Sequence, residues 1–446
     1  MNWGWLKSIR YTLSGNYTSK QSHYETLLGN ANYQYSMTTT DGAVLSNKPG
    51  IDVYDSQGNK ITNIPTGEAG LYANYLPADY LTKYDIDGKE VNTFAQILAN
   101  LVKETGHLEN RIAFGGSFKS DGNVGKGKTF DPATPPYRNI SVNNSTSRPR
   151  SYRDIPFVNQ LSAFAEENFS YAFGQRKLRL QLGARYDNIL GFRDIVTPRA
   201  NLAFDIVPSL LVLRGGYGVT AKSPTVMYLH PEKAYFEYIN INTIADATIP
   251  EAQRMIVTTT RAFDTKNNDL KIATNKKAEI GVDLLFGKKA RLSVTAFKER
   301  MNNGYYMNDV YVPVTYQTYK ADVLPTDGVS FPTLIADKQY PVLSEYSSVT
   351  NNLTLNTDGI EFDFNSGRID PIRTTFSLTG AWMKSQTYNN GYTYYSASVT
   401  DPAQAPHIGI YEKGMKKRNE ERISTSLRVT HNIPRLRMAV TLTTQV

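Results

Sequence analysis

Residues Phe157 to Thr220 read FVNQLSAFAEENFSYAF-GQRK-LRLQLGARYDNIL-GFRDIV-TPRANLAFDIV-PS-LLVLRGGYGVT, and their alternation decides the fold class. Leu178, Leu180, Leu182, Ala184 and Tyr186 interleave with Arg179, Gln181, Gly183 and Arg185. A period of two puts the two sets on opposite faces of a strand. Past the Pro208-Ser209 turn the pattern recurs, with Leu211, Leu213, Tyr217 and Val219 on one side and Arg214 and glycines on the other. One face is greasy, the other polar, and the chain doubles back about every dozen residues, as an antiparallel sheet does. A soluble sandwich would bury the apolar face, whereas an outer-membrane barrel would turn it to lipid and line a wet lumen with the polar one. Leu178–Asn188, Leu210–Thr220 and Arg373–Thr387 have the length a tilted strand needs to cross a bilayer, roughly ten residues, where globular strands run nearer five or six.

The rest of the chain repeats the theme. Ile9–Tyr17, Asn32–Met37 and Ile112–Phe118 alternate as strands; residues 38–81 carry loop signals. Asn92–Glu104 places Phe94, Ile97, Leu98, Leu101 and Val102 at helical spacing and is expected to form one short helix stopped by Gly106. Hairpins follow, with turns at Gly287–Ala290 and Asn432–Arg435 and a longer link after Phe364. Between them lie three long polar stretches, Ala221–Asn275, Asn302–Thr357 and Tyr388–Glu421. Short turns alternating with long loops are expected of a membrane barrel, with the long loops outside. Glu167 fits poorly, since it shares the lipid face with Ala163, Ala165 and Phe169; a bulge or an interfacial position would relieve it.

Composition narrows the functions. The 446 residues have no Cys, which removes disulfides, thiol nucleophiles and thiolate metal sites, and a mean hydropathy of −0.42. No run suits a membrane helix, so any crossing must use closed β structure. Tyr is abundant, at 30 against 18 Phe and 3 Trp, which suits interfacial girdles and sugar-facing loops. The net charge of +8 is dispersed and gives no reason to invoke nucleic acid. The first twenty residues lack the layout of a signal peptide.

Motifs for chemistry are weak. Gly122–Thr129 satisfies the phosphate-loop pattern, but Pro132, Pro135 and Pro136 follow where a helix must begin. The five histidines show no metal-ligand spacing, no G-x-S-x-G occurs, and no cofactor is implied. The pairs Glu279/Asp283 and Glu361/Asp363 could serve a glycosidase, although solvated lumen residues are the more economical reading. No enzyme activity is expected. The long loops concentrate aromatics: Tyr228, His230, Tyr235, Phe236 and Tyr238; Tyr305 and Tyr306; Tyr388, Tyr392, Tyr394 and Tyr395. Their faces could hold a sugar or another flat ligand, or the loops could simply pack on one another.

Several pieces together resemble the TonB-dependent outer-membrane receptors, in particular the SusC-like branch of Bacteroidetes. They are Leu182–Asp187, Thr197-Pro198-Arg199, Leu213–Gly218 with Lys222-Ser223-Pro224, Glu279–Asp283 and Asp358–Glu361. Gly122–Thr129 is similar to that branch's Gly-rich loop. The resemblance spans the chain as barrel only: an all-β, transmembrane, antiparallel up-and-down β-barrel, partial, with about fifteen of 22 strands. Residues 1–446 would be barrel, with the plug domain and the C-terminal closing strands expected elsewhere. It implies a Gram-negative outer-membrane nutrient receptor for a glycan, peptide or small molecule, surrounded by outer-membrane lipids and working with a SusD-like lipoprotein and the TonB complex. A passive porin-like barrel and a secreted sugar-binding β protein are the alternatives.

Overall fold

In chain order the computed structural model contains β1 (Leu6–Leu28), β2 (Val44–Ser46), β3 (Tyr80–Thr105), β4 (Leu108–Asn123), β5 (Gly127–Phe130), β6 (Val158–Phe173), β7 (Arg176–Ile189), β8 (Asp194–Val207), β9 (Leu211–Lys222), α1 (Val226–Leu229), β10 (Ala234–Asn242), β11 (Ile256–Phe263), β12 (Ala273–Phe286), β13 (Ala290–Ala321), β14 (Leu334–Ile369), β15 (Thr374–Asn389), β16 (Thr393–Tyr394), β17 (Ile410–Tyr411), β18 (Lys417–Ile433) and β19 (Met438–Gln445). The structure describes residues 4–29, 38–46, 59–60, 79–131, 133–136, 148–287, 289–395 and 407–446. The expected strand at Asn32–Met37 lies outside them.

Fourteen strands form one antiparallel sheet in the order β1-β3-β4-β6-β7-β8-β9-β12-β13-β14-β15-β18-β19, with β5 paired to β3 beside this path. Neighbours in the wall follow one another in sequence once the strands inserted in loops are set aside, so the topology is up-and-down. The order runs from β1 to β19 without closing. Among the described residues no helix is long and apolar enough to cross a membrane.

The register fixes which side chains share a face. Leu180 faces Leu202, Leu213 faces both Phe204 and Val282, Ile280 faces Ala296, and Val294 faces Phe362. This face is open: Leu182 is 47% exposed and Ile280 59%. The opposite face is the closed one, and Asp187 and Asp283 are buried there. Buried carboxylates and exposed leucines invert the order of a water-soluble core. They suit a sheet whose apolar face meets lipid. Aromatic rings edge the band. Tyr171, Phe173 and Phe204 cluster near the short-turn end, with ring centroids 6.0 and 5.7 Å apart. Tyr186 and Tyr217 stand toward the other end.

Charges on the closed face satisfy one another across strands. The Arg214 guanidinium lies 3.0 Å from Asp283 and also donates to Ser293 and Thr295 on β13, beyond the intervening β12. It crosses β12 at Gly281, where a Cβ would come within 2.9 Å of the guanidinium. Arg199 likewise reaches Glu166 over Gly183. Two strand spacings, roughly 9–10 Å, are bridged only if the middle strand carries no side chain at the crossing.

Connections at one end are short, at residues 106–107, 174–175, 208–210, 287–289, 370–373 and 434–437. At the other end they are long, apart from the link at 190–193.

Four expectations need correction. Asn92–Glu104 is not a helix but part of β3, paired with β4 in unbroken register and with β1 as far as Leu101, with one irregularity opposite Asn100 and Leu101. Phe94 and Leu98 lie on the closed face and Ile97 and Leu101 on the open one, and apolar residues on both faces imitate helical spacing. The stretch Asn302–Thr357 is not a loop throughout: β13 and β14 continue as a paired hairpin to Ala321 and Leu334. The link after Phe364 shrinks to the turn 370–373, because β14 runs on to Ile369. Glu167 is not relieved by a bulge either. It pairs with Ile112 and Leu182 in regular register, midway between Leu161 and Phe173 on the lipid face.

Candidate functional site

The hydrophobic core of this protein sits above the wall, among the long loops. β10, β11 and β2 form a separate three-stranded sheet. It packs on the projecting part of the β13–β14 hairpin through two clusters. One joins Val44, Ile241, Met255, Val257, Tyr319 and Leu334; the other joins Ala234, Phe236, Tyr238, Val314, Tyr316 and Val342. Segments far apart in sequence thus make one cap, and burying this apolar surface supplies the driving force.

Polar ties complete the cap. The buried Arg148 guanidinium pairs with buried Glu237 on β10, donates to the Thr38 carbonyl at 2.8 Å, and lies 4.6 Å from the Tyr235 ring centroid. Gln253, fully buried, donates to the Pro325 and Ser330 carbonyls at 2.9 and 2.8 Å, fixing the hairpin tip to the β10–β11 connection. Where the hairpin leaves the wall, the pairing slips between Met301 and Tyr306, and Asn303 takes a φ of 56°. Such a bulge re-aims the strand. Tyr305 then points at the tops of β9 and β12.

The eleven aromatic and histidine candidates fall into distinct settings. Phe236 and Tyr238 are buried, Tyr238 stacking on Tyr316 at 4.6 Å; burial pushes the Tyr238 and Tyr316 phenols up to about 12. Their rings are occupied by packing, and Tyr235 by Arg148. Tyr305, its phenol likewise raised to about 12 by burial, meets Tyr228 with ring centroids 5.4 Å apart. Tyr306, Tyr392 and Tyr395 stand exposed. Tyr394 leans on Tyr311 at 4.8 Å, while Lys413 lies over Tyr392 and Lys417 over Tyr388. The structure therefore gathers Tyr392, Tyr394 and Tyr395 with Tyr411 around the β16–β17 pairing, next to Tyr388 at the end of β15, and the exposed rings of Tyr392, Tyr395 and Tyr411 offer stacking faces. His230 stands apart, at a cavity between the 190–193 link and residues 266–268. Burial, and then the Lys266 and Arg150 cations, hold its pKa below the ordinary histidine value.

Sequence reasoning missed Arg148, Arg193, Gln253 and Lys266. Arg148, Arg193 and Gln253 meet partners from distant sequence, and Lys266 reaches the cavity beside His230 only through the fold, so no local signal marks them.

The Gly122–Thr129 loop makes no phosphate cradle. The amides of Val124, Gly125 and Lys126 are taken by the Lys89 carbonyl, Asn123 Oδ1 and Asp87 Oδ2 at 2.8, 2.9 and 3.0 Å. Strand β5, not a helix, follows. Gly127 has a φ of +81°, and a Cβ there would come within 1.9 Å of the Arg150 carbonyl, so the glycines serve a close seat against β3 and residue 150. Among the described residues no group of three His, Asp or Glu is placed to hold a metal.

A family model described as TonB dependent receptor-like, beta-barrel matches residues 2–443. No curated protein matches the sequence. Among solved structures, the siderophore receptor PirA from Acinetobacter baumannii is 11% identical, with 95% of this chain and 65% of that one covered and a TM-score of 0.43. A mutant of the ferric enterobactin receptor PfeA from Pseudomonas aeruginosa is 14% identical, covering 81% and 48%, with a TM-score of 0.37. A double mutant of the Serratia marcescens hemophore receptor HasR, in complex with its hemophore HasA and heme, is 12% identical, covering 97% and 58%, with a TM-score of 0.42. The chain spans between about half and two thirds of the length of these receptors.

Proposed function

This chain belongs to the TonB-dependent receptor-like β-barrel family, and from that premise we propose that it is the barrel of an outer-membrane nutrient receptor of the SusC-like branch. The long-loop end faces outward and captures a glycan or peptide. A SusD-like lipoprotein assists capture, and the TonB complex supplies the energy for uptake. The observation that carries the receptor reading is the inverted wall, closed and charged on one face and apolar on the other, crowned at one end by a cap with its own core. A secreted sugar-binding protein would have no use for exposed large apolar side chains along nine or more consecutive wall strands. The SusC-like assignment and the ligand class rest on the motif residues and on the exposed loop tyrosines Tyr306, Tyr392 and Tyr395.

The test is uptake of labelled oligosaccharide and peptide pools by the source bacterium. Deleting the full-length gene, or TonB alone, should abolish uptake of the same fraction of the pool. Uptake that survives the loss of TonB but not of the gene would make the barrel a passive pore instead.

A further inference from the structure

His230 lines a cavity of about 370 Å³ at the long-loop end, inside the range of small-molecule sites, roughly 300–1,000 Å³. Its walls mix two kinds of group. Phe157, Leu190 and Phe192 give apolar and aromatic surface, while Arg193 and Lys266 give positive charge. No Asp or Glu is among the lining residues. Arg193 uses Nε to donate to the Leu270 carbonyl at 2.6 Å, which fixes the side chain and leaves its terminal nitrogens available. Lys266 is held through its backbone amide, which donates to Asp264 Oδ1 at 2.9 Å. Neither cation forms an ion pair with a carboxylate among the described residues. That separates this cavity from the wall, where Arg179, Arg185, Arg199, Arg214 and Arg291 are all matched to acids.

An apolar recess with two unmatched cations at its rim suits a ligand that carries a negative charge beside a hydrophobic ring face. We propose that this cavity is a subsite for an anionic group on the captured substrate, a carboxylate or sulfate borne on a sugar ring. The ring lies against Phe157 and Phe192, the anion meets Lys266 and the outer nitrogens of Arg193, and His230 contributes a hydrogen bond from its ring. Fixed geometry at Arg193 favours a planar or multidentate anion. The site rests on the receptor reading above and sharpens it to acidic glycans.

The experiment is calorimetric titration of the full-length receptor in detergent with three probes: digalacturonate, a sulfated chondroitin disaccharide and neutral lactose. At least one anionic probe should bind about tenfold or more tighter than lactose. Lys266→Gln and Arg193→Gln should each weaken that probe roughly tenfold, the loss expected for a hydrogen bond to a charged group, and flatten its salt dependence. Lactose should be indifferent to both changes. Which anionic probe is preferred tells carboxylate from sulfate. Gel migration before and after boiling shows that each variant still forms its barrel. Equal affinity for all three probes, unchanged binding by the variants, or no binding of any probe would overturn the subsite. TonB-dependent uptake of some other nutrient would still leave the receptor reading standing.

Discussion

The Tyr305 hydroxyl lies 3.0 Å from the carbonyl oxygen of Lys222, and the same oxygen is 3.0 Å from that of Lys271. One proton serves both acceptors by turns, and the Ala273 amide donates back at 3.4 Å. The knot joins the top of β9, the start of β12 and the base of the projecting hairpin. Tyr305→Phe removes the hydroxyl and leaves the carbonyls short of a donor, at a cost of about 1 kcal/mol. The expected result is faster cleavage of residues 223–272 by added protease, with the barrel band on a gel unchanged. Equal cleavage rates would show that the knot holds nothing.

Alkali should dissolve the cap in a defined window. The phenols of Tyr238, Tyr305 and Tyr316 are pushed up to about 12 by burial, against an ordinary value of 10.0. In the unfolded chain they would ionise near 10, so the folded form binds more protons between the two values. Stability is intact below pH 10 and declines as the pH climbs toward 12. Tyrosinate absorbance should therefore lag for a set of residues and then rise together with protease sensitivity of the loops. A single smooth titration near 10 would contradict this.

Arg148 and Glu237 form a buried pair, and taking away one member removes the ion-pair partner of the other. Arg148→Ala should destabilise the cap by about 3–5 kcal/mol. The double change to Arg148→Met with Glu237→Leu should cost far less. Unfolding of the loops, followed by hydrogen exchange, separates these outcomes. Similar losses in the two variants would argue against a buried, uncompensated charge.

Glu167 faces lipid midway along β6, in regular register and without an ion pair among the described residues. Glu167→Leu should stabilise the barrel by an amount on the order of 1 kcal/mol, somewhat below the penalty of a mid-bilayer Lys or Arg. Denaturant titration in lipid vesicles reads it directly. A destabilised variant would mean that the carboxylate has a partner on the outer face.

Sidedness follows from the sorting of loops. Protease added to intact cells carrying the full-length protein should cut within 223–272, 322–333 and 390–416. It should spare Pro208-Ser209 and Gly287–Ala290. Cleavage in the reverse pattern would turn the barrel over.

The wall was legible because a strand between lipid and lumen must alternate, and Leu178–Tyr186 does so without interruption. Where β3 carries Phe94 and Leu98 on the closed face, the two-residue period dissolves and a helix is the natural misreading. The cap was illegible for a different reason. Phe236 and Tyr238 look like any loop aromatics until Val314, Tyr316 and Val342 arrive from some eighty residues or more away, and no local period encodes that meeting. His230 stood out as a loop candidate, but Arg193 and Lys266 join it only through the closeness of two loops. The Gly-rich loop misled in its pattern and not in its surroundings, since the prolines after it already forbade the helix that phosphate binding needs.

The β13–β14 hairpin leaves the wall near Asn303 and stays paired as far as Ala321 and Leu334. At roughly 3.3 Å per residue, its outgoing strand is about 60 Å long beyond that point, twice the thickness of a bilayer's hydrocarbon core, roughly 30 Å. It stands as a mast braced by the Gln253 stay at its tip. With the long-loop end outward as proposed, a bacteriophage tail or an antibody approaching the cell would therefore touch residues 322–333 well before it reached the rim of the wall.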